Sequence, residues 1–210
     1  MGGRGLAGRS GTGHGAPSRN SRLSPPGSHW LPDIDLHSLG LTLVLNIRPA
    51  TERDREAIWN IFHTVITPGD TYAFDPKMSR ADALAYWFRP GTHTYVAEQE
   101  RHVVGTYILK TNQSGGGSHV ANAAFMVAPG ARGLGVGRKM GNHCLSEARR
   151  LGFRAMQFNF VVSTNEAAIR LWKQLGFEIV GTLPGAFRHP EKGYIDVYIM
   201  FRSLEEAGKE

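Results

Sequence analysis

The densest chemical signal in the chain is the stretch Phe125-Met-Val-Ala-Pro129-Gly-Ala-Arg132-Gly-Leu-Gly135-Val-Gly137-Arg138. There an apolar, strand-like run gives way to glycines at alternate positions, with arginines on either side. Glycines let successive backbone N–H groups converge on an anion without Cβ obstruction, and a helix starting at such a turn adds about 1 kcal/mol for negative charge through its dipole. The pattern suits a pyrophosphate, with Arg132 and Arg138 adding charge. Two other glycine motifs fail on spacing. Gly133-x-Gly135 and Gly135-x-Gly137 each lack the third glycine of the dinucleotide fingerprint, and no Gly-Lys-Ser/Thr triplet completes a P-loop.

Polar residues inside apolar runs are the second signal. Asn122 interrupts Val120-Ala-Asn-Ala-Ala-Phe125, and Asn159 interrupts Met156-Gln-Phe-Asn-Phe-Val161. Buried amides need partners, and either a small polar acceptor or an internal backbone or water bridge would supply them. Tyr72 and Phe74, in a Pro/Gly/Asp loop, either wall such a pocket or anchor the loop. Glu98, Asp70 and Asp75 could act as a base directly or through water, against the alternative of solvated charge. Cys144 shares a helical stripe with Val136, Met140 and Ala148, which favours a packed thiol over a nucleophile. No two of the nine histidines stand three to five apart on one helix and the one cysteine has no cysteine partner, so no metal site is expected.

These residues need elements to hold them. Residues 43–47 read as a strand ended by Pro49, and Thr51 with Asp54 makes a capping-box pattern before Ile58, Ile61, Phe62 and Val65 at helical spacing. Ser79 with Asp82 repeats that signal ahead of Leu84, Trp87 and Phe88, after a loop over 67–77. Residues 94–98 and 102–109 flank a polar turn as a hairpin, and a triple-glycine loop leads to a fourth strand, 119–127. The glycine turn then opens a helix to Leu151, residues 155–162 make a fifth strand, and 165–175 make a helix closed by Gly176. Residues 177–183 and 194–201 are the last strands. The order β-α-α-β-β-β-α-β-α-β-β implies an α+β, or mixed α/β, fold: a central mixed sheet of about seven strands with helices on both faces. Residues 1–40, rich in Gly, Ser, Pro and Arg without a periodic apolar face, are expected to be a disordered leader, with one domain over 41–203 and a flexible tail over 204–210.

The glycine turn matches the Arg/Gln-x-x-Gly-x-Gly/Ala signature of the GNAT superfamily of acetyl-CoA-dependent N-acetyltransferases, and stands where that family puts it, between the fourth strand and third helix. The segment Asn165-Glu-Ala-Ala-Ile-Arg-Leu-Trp172-Lys-Gln-Leu-Gly176-Phe177 resembles the family's second cofactor-contacting motif. The resemblance covers residues 43–201 by element order. It implies a mostly antiparallel sheet whose fourth and fifth strands splay to admit acetyl-CoA as co-substrate. It also implies a bulged fourth strand whose main chain, at Met126 and Val127, pairs with the pantetheine arm and polarises the thioester carbonyl. The pyrophosphate would lie on Arg132, Gly133, Leu134, Gly135, Val136, Gly137 and Arg138, with Asn165 contacting the cofactor, although Asn165 reads equally well as an N-cap. Many members carry a tyrosine as general acid where this chain has Trp172, whose indole does not give up its proton at ordinary pH. The thiolate would instead leave unaided, since its conjugate thiol has a pKa of only about 8.5, or take the proton released by the amine.

Ser118-His-Val-Ala-Asn122, with Phe158-Asn159, Thr164-Asn165 and Trp172, resembles more narrowly the GNAT branch that acetylates azetidine-2-carboxylate and related proline analogues in yeast. There the two strand asparagines hold the acceptor, which assigns Asn122 and Asn159, with Tyr72 and Phe74 walling the pocket. Val127 and Asn122 are then the catalytic candidates, and a small-molecule amine or imino acid is the acceptor. A protein amine as acceptor, or a non-catalytic acyl-CoA sensor, are the alternatives. The net charge of +6 suits a polyanionic partner such as nucleic acid, an anionic membrane face or a phosphate-bearing cofactor. Arg4, Arg9, Arg19 and Arg22 lack interleaved aromatics apart from Trp30, which argues against nucleic acid, and no apolar run is long enough for a membrane span. The single cysteine fits a reducing, cytoplasmic compartment, and a homodimer is left open as the assembly.

Overall fold

The computed structural model describes residues 44–205. The expected leader, with its four arginines and Trp30, lies outside them, as do residues 206–210 of the expected tail. The chain alternates β1 (Asn46–Pro49), α1 (Arg55–Ile66), α2 (Arg80–Trp87), β2 (Thr92–Gln99), β3 (His102–Thr111), β4 (Val120–Val127), α3 (Val136–Arg150), β5 (Ala155–Val162), α4 (Glu166–Gln174), β6 (Glu178–His189) and β7 (Gly193–Ser203). The strands form one sheet in the order β1-β2-β3-β4-β5-β7-β6, antiparallel throughout except for β4 against β5.

Alternation along β3 and β4 sorts the helices onto two faces. Tyr107, Leu109, Ala121 and Ala123 pack with Val136, Met140, Cys144 and Ala148 of α3 and Trp172 of α4. Ile108 and Met126 pack on the other face with Ile58 and Phe62 of α1 and Leu84 and Trp87 of α2. Cys144 is fully buried on its stripe, and burial pushes its thiol pKa up, so it is a packed residue.

Three features depart from the sequence pattern. The first strand starts at Asn46 rather than Leu43 and keeps Pro49, which an edge strand tolerates because it need not donate. The sixth strand runs past Pro184 to His189: Gly185 takes φ 60°, its N–H donates to Asp196 Oδ1 at 3.0 Å, and pairing resumes at Phe187↔Ile195. The bulge expected in the fourth strand is absent, because the β3–β4 register runs unbroken from Gly105↔Val127 to Thr111↔Ala121. The irregularity lies in β5 instead, between Phe158 and Val161. Both of those side chains face the α3–α4 core, so an extra residue is needed between them.

A buried polar corner fixes the start of α1 against the sheet. Arg48 donates to both carboxylate oxygens of Asp54 at 2.8 and 2.9 Å and to Glu98 at 2.6 Å, while the Thr51 N–H donates to Asp54 at 2.7 Å. Asp54 is 4% exposed, and Arg48 holds its pKa down at about 2. A folded pKa below the unfolded one contributes stability above the unfolded value, which is lost as pH falls through the folded value. Replacing Asp54 with Asn should therefore cost about 2 kcal/mol at neutral pH, read as a lower Tm. That deficit should shrink as pH falls from about 4 toward 2, where the wild-type carboxylate itself protonates. A deficit that does not change with pH would show that the pair contributes nothing.

Candidate functional site

β4 and β5 pair only at Val120↔Ala155 and Ala121↔Met156, and beyond these they part. The edge that β4 offers to the gap can be read from its other side. The Asn112 N–H donates to Val120 O at 2.8 Å and the Ala128 N–H to Val104 O at 2.9 Å. With the unbroken register, the even-numbered residues of β4 therefore spend their main-chain groups on β3. The N–H and C=O of Ala123, Phe125 and Val127 point into the gap. Met126 also lines the cleft, but its N–H is committed to β3 and its side chain lies in the α1–α2 core, so of the expected pair it is Val127 whose main chain faces the gap.

The hydroxyl of Tyr72, from the loop after α1, confirms the direction of this edge by donating to Phe125 O. Burial pushes the Tyr72 phenol well above its ordinary pKa, so it stays protonated and able to donate. Its ring stacks on Phe74, which packs against Phe62 and Tyr86. These aromatics anchor the loop and also line the cleft.

The parted strands leave a cleft of about 800 Å³. Residues from the glycine turn line one end. Gly133 and Gly135 both have φ 79°, and a Cβ at either would meet open space. Strain, not crowding, is what reserves these positions for glycine. Gly135 is the N-cap of α3, and the first amide bond inside the helix runs from Lys139 N–H to Gly135 O at 3.0 Å. The amides of Val136, Gly137 and Arg138 precede it and have no acceptor within the helix. Arg132 and Arg138 also line the cleft, whereas Leu134 is 63% exposed and does not. Asn165 lines the cleft and caps α4, its Oδ1 accepting from Ala168 N–H at 3.2 Å.

Across the gap, Asn122 Nδ2 donates to Gln157 O at 2.8 Å. Asn159 was expected to be buried, but it is exposed. It bonds Asn112 Oδ1 at 2.7 Å and accepts from Gln157 Nε2 at 2.8 Å, because β5 at this point has left its neighbour. Both asparagines line the cleft. Trp172 is nearly buried, its ring 4.8 Å from those of Phe125 and Phe158. Of the three carboxylates considered as bases, only Asp70 lines the cleft. Glu98 is engaged by Arg48, and Asp75 accepts from the Lys77 N–H. Sequence reasoning missed Tyr86 and Lys110, which also line the cleft. A lysine ending the apolar run of β3 was the available signal. Among the described residues no group of three His, Cys, Asp or Glu is placed to hold a metal, and no helix is long and apolar enough to cross a membrane.

Comparison with known proteins agrees with this fold. The family described as Acetyltransferase (GNAT) family matches residues 56–177. The chain is 35% identical over 164 residues to the N-acetyltransferase aca1 of Schizosaccharomyces pombe, covering 69% of this chain and 78% of that protein. It is 27% identical over 146 residues to an L-amino acid N-acyltransferase of Escherichia coli, covering 67% and 83%. A GCN5-related N-acetyltransferase structure from Kribbella flavida superposes with TM-score 0.73 at 42% identity, covering 76% of this chain and 97% of that one. A structure from Salmonella typhimurium solved with its cofactor acetyl-CoA superposes with TM-score 0.69 at 26% identity, covering 80% and 98%.

Replacing Tyr72 with Phe removes the hydroxyl donor to a carbonyl that has lost its strand partner. The substitution should lower stability by about 1 kcal/mol, seen as a fall in Tm. An unchanged Tm would mean that water satisfies the carbonyl equally well.

Proposed function

The chain belongs to the acetyltransferase (GNAT) family, and from that premise we propose that this acetyl-CoA-dependent N-acetyltransferase moves the acetyl group directly to the nitrogen of a small amino or imino acid, with azetidine-2-carboxylate as the representative acceptor. The observation that carries the reading is the interrupted β4–β5 ladder, which turns the Val127 N–H into a cleft that also holds a glycine-rich helix start. The name of the Escherichia coli relative, an L-amino acid N-acyltransferase, supports an acceptor of this class.

The donor set fits the co-substrate: strained glycines, first-turn amides without helical acceptors, and two arginines suit a pyrophosphate. When bound, acetyl-CoA supplies a thioester whose carbonyl carbon accepts the amine and whose thiolate leaves. On this reading Arg132, the amides from Gly133 to Arg138 and the N-cap Asn165 hold the nucleotide end. The Val127 N–H stabilises negative charge on the reacting oxygen. Asn122 and Asn159 orient the acceptor, and Tyr72 and Phe74 exclude water from one side of it. Asp70 takes the amine's proton, through water or directly, a role supported by its position on the lining of the cleft. The buried Cys144 lies on the α3 stripe, which favours direct transfer over an acyl-enzyme. The reading takes residues 41–203 as the catalytic domain, with 1–40 a leader and 204–210 a tail, and places its action in the reducing cytoplasm, without nucleic acid or membrane.

The test is thiol release from acetyl-CoA against a panel of azetidine-2-carboxylate, proline analogues, free amino acids and simple amines. Turnover is expected with a cyclic imino acid. Tight acetyl-CoA binding without turnover of any small amine would overturn the acceptor and point to a protein amine. Replacing Gly135 with Val should weaken acetyl-CoA binding by about tenfold or more in calorimetry, because a β-branched residue does not settle at φ 79°. Unchanged affinity in a folded variant would remove the turn from the cofactor site.

A further inference from the structure

Lys110 lines the cleft but has no duty in the reading above. It stands opposite Asn122 in the β3–β4 register, so both side chains emerge on the α1–α2 face of the sheet. The ammonium lies 3.4 Å from the Tyr86 hydroxyl and 5.2 Å from the centroid of that ring. It is half-buried and forms no ion pair with any carboxylate among the described residues. The other lysine and arginine side chains of the cleft, Arg132 and Arg138, flank the glycine turn at the start of α3. Keeping a cation partly out of water without a counter-charge costs stability, and an aromatic ring beside it offsets only part of that cost.

We propose that Lys110 binds the carboxylate of the acceptor. Its ammonium pairs with the free carboxylate of an amino or imino acid, held in place by Tyr86, while Asn122 on the neighbouring strand meets the ring nitrogen. This deepens the small-acceptor reading and rests on it. The consequence is a specificity rule: an acceptor is chosen by carrying a carboxylate next to its nitrogen, since a neutral analogue leaves the ammonium unpaired.

The experiment compares azetidine-2-carboxylate with its carboxamide, using wild-type enzyme, Lys110→Met and Lys110→Arg, each checked for a Tm no lower than wild type and for unchanged acetyl-CoA affinity. Wild type should prefer the carboxylate. Lys110→Met should raise KM for the carboxylate by about tenfold or more with kcat little changed, leave the carboxamide unaffected, and be partly rescued by Lys110→Arg. Wild-type turnover of the carboxylate with no change in selectivity on Lys110→Met, or equal loss on both acceptors, would sink the Lys110 assignment alone. Absence of wild-type turnover on both compounds would sink the small imino-acid reading together with it.

Discussion

A parallel strand pair that stops after two residues leaves main-chain donors and acceptors facing a gap, and buried backbone groups must find partners. Much of the site follows from how this chain answers that demand. Phe125 O takes the Tyr72 hydroxyl, and Gln157 O takes the Asn122 amide. The Val127 N–H, on the same edge, is left for a ligand in the proposed mechanism. One interruption thus creates both the cavity and its polar lining, so the strands do not need to close and a bound molecule can lie where a ladder would have been.

The unbroken β3–β4 register does the sorting. Because side chains alternate, Lys110, Asn122 and Ala124 face α1 and α2, while Tyr107, Ala123 and Phe125 face α3 and α4. The two reactants of the proposed reaction then approach from opposite faces and meet at the main chain of β4. In the proposed reaction the acceptor-side residues come from the loop after α1, from β3 and β4, and, through Asn159, from β5; the glycine turn and the α4 cap follow β4 and β5 directly. The corner of Arg48, Asp54 and Glu98 lies away from the chemistry, but it sets where α1 begins and therefore where the loop carrying Tyr72 and Phe74 starts.

The element order and most boundaries were legible because they are local. Apolar periodicity marks the helices, Ser79 and Asn165 cap as their types suggest, and β5 spans the expected residues. The glycine turn was legible because glycine settles without strain at the φ it requires. Non-local geometry was not legible. Asn159 looks like a buried amide in an apolar run, yet it is exposed because its neighbouring strand has departed, and no residue type records that departure. The extra residue in β5 and the run of β6 past Pro184 depend on cross-strand register, which one strand's sequence does not carry. Glu98 has the type of a base, but Arg48, fifty positions away, engages it, and the local sequence carries no sign of that pairing. The juxtaposition of Lys110 with Asn122 likewise exists only in the β3–β4 register.

Trp172 shows how packing and chemistry can be traded at one position. Its ring lies against Phe125 and Phe158, so these three rings form an aromatic wall on the α4 side of the cleft, and Phe158 stacks in turn on Phe177 at 4.5 Å. A phenol there would bring a proton but also a hydroxyl that needs a partner in an apolar wall. The indole brings no proton, yet it adds apolar area to that wall. In the proposed mechanism a drier gap strengthens the pull of the Val127 N–H on the reacting oxygen, because the field of a fixed dipole grows as the local dielectric falls. In that mechanism the thiolate leaves unaided or takes the proton that the amine releases, whereas the charge on the reacting oxygen is met by the Val127 N–H. On that reading the position gives up a proton donor and keeps an apolar wall beside the reacting carbonyl.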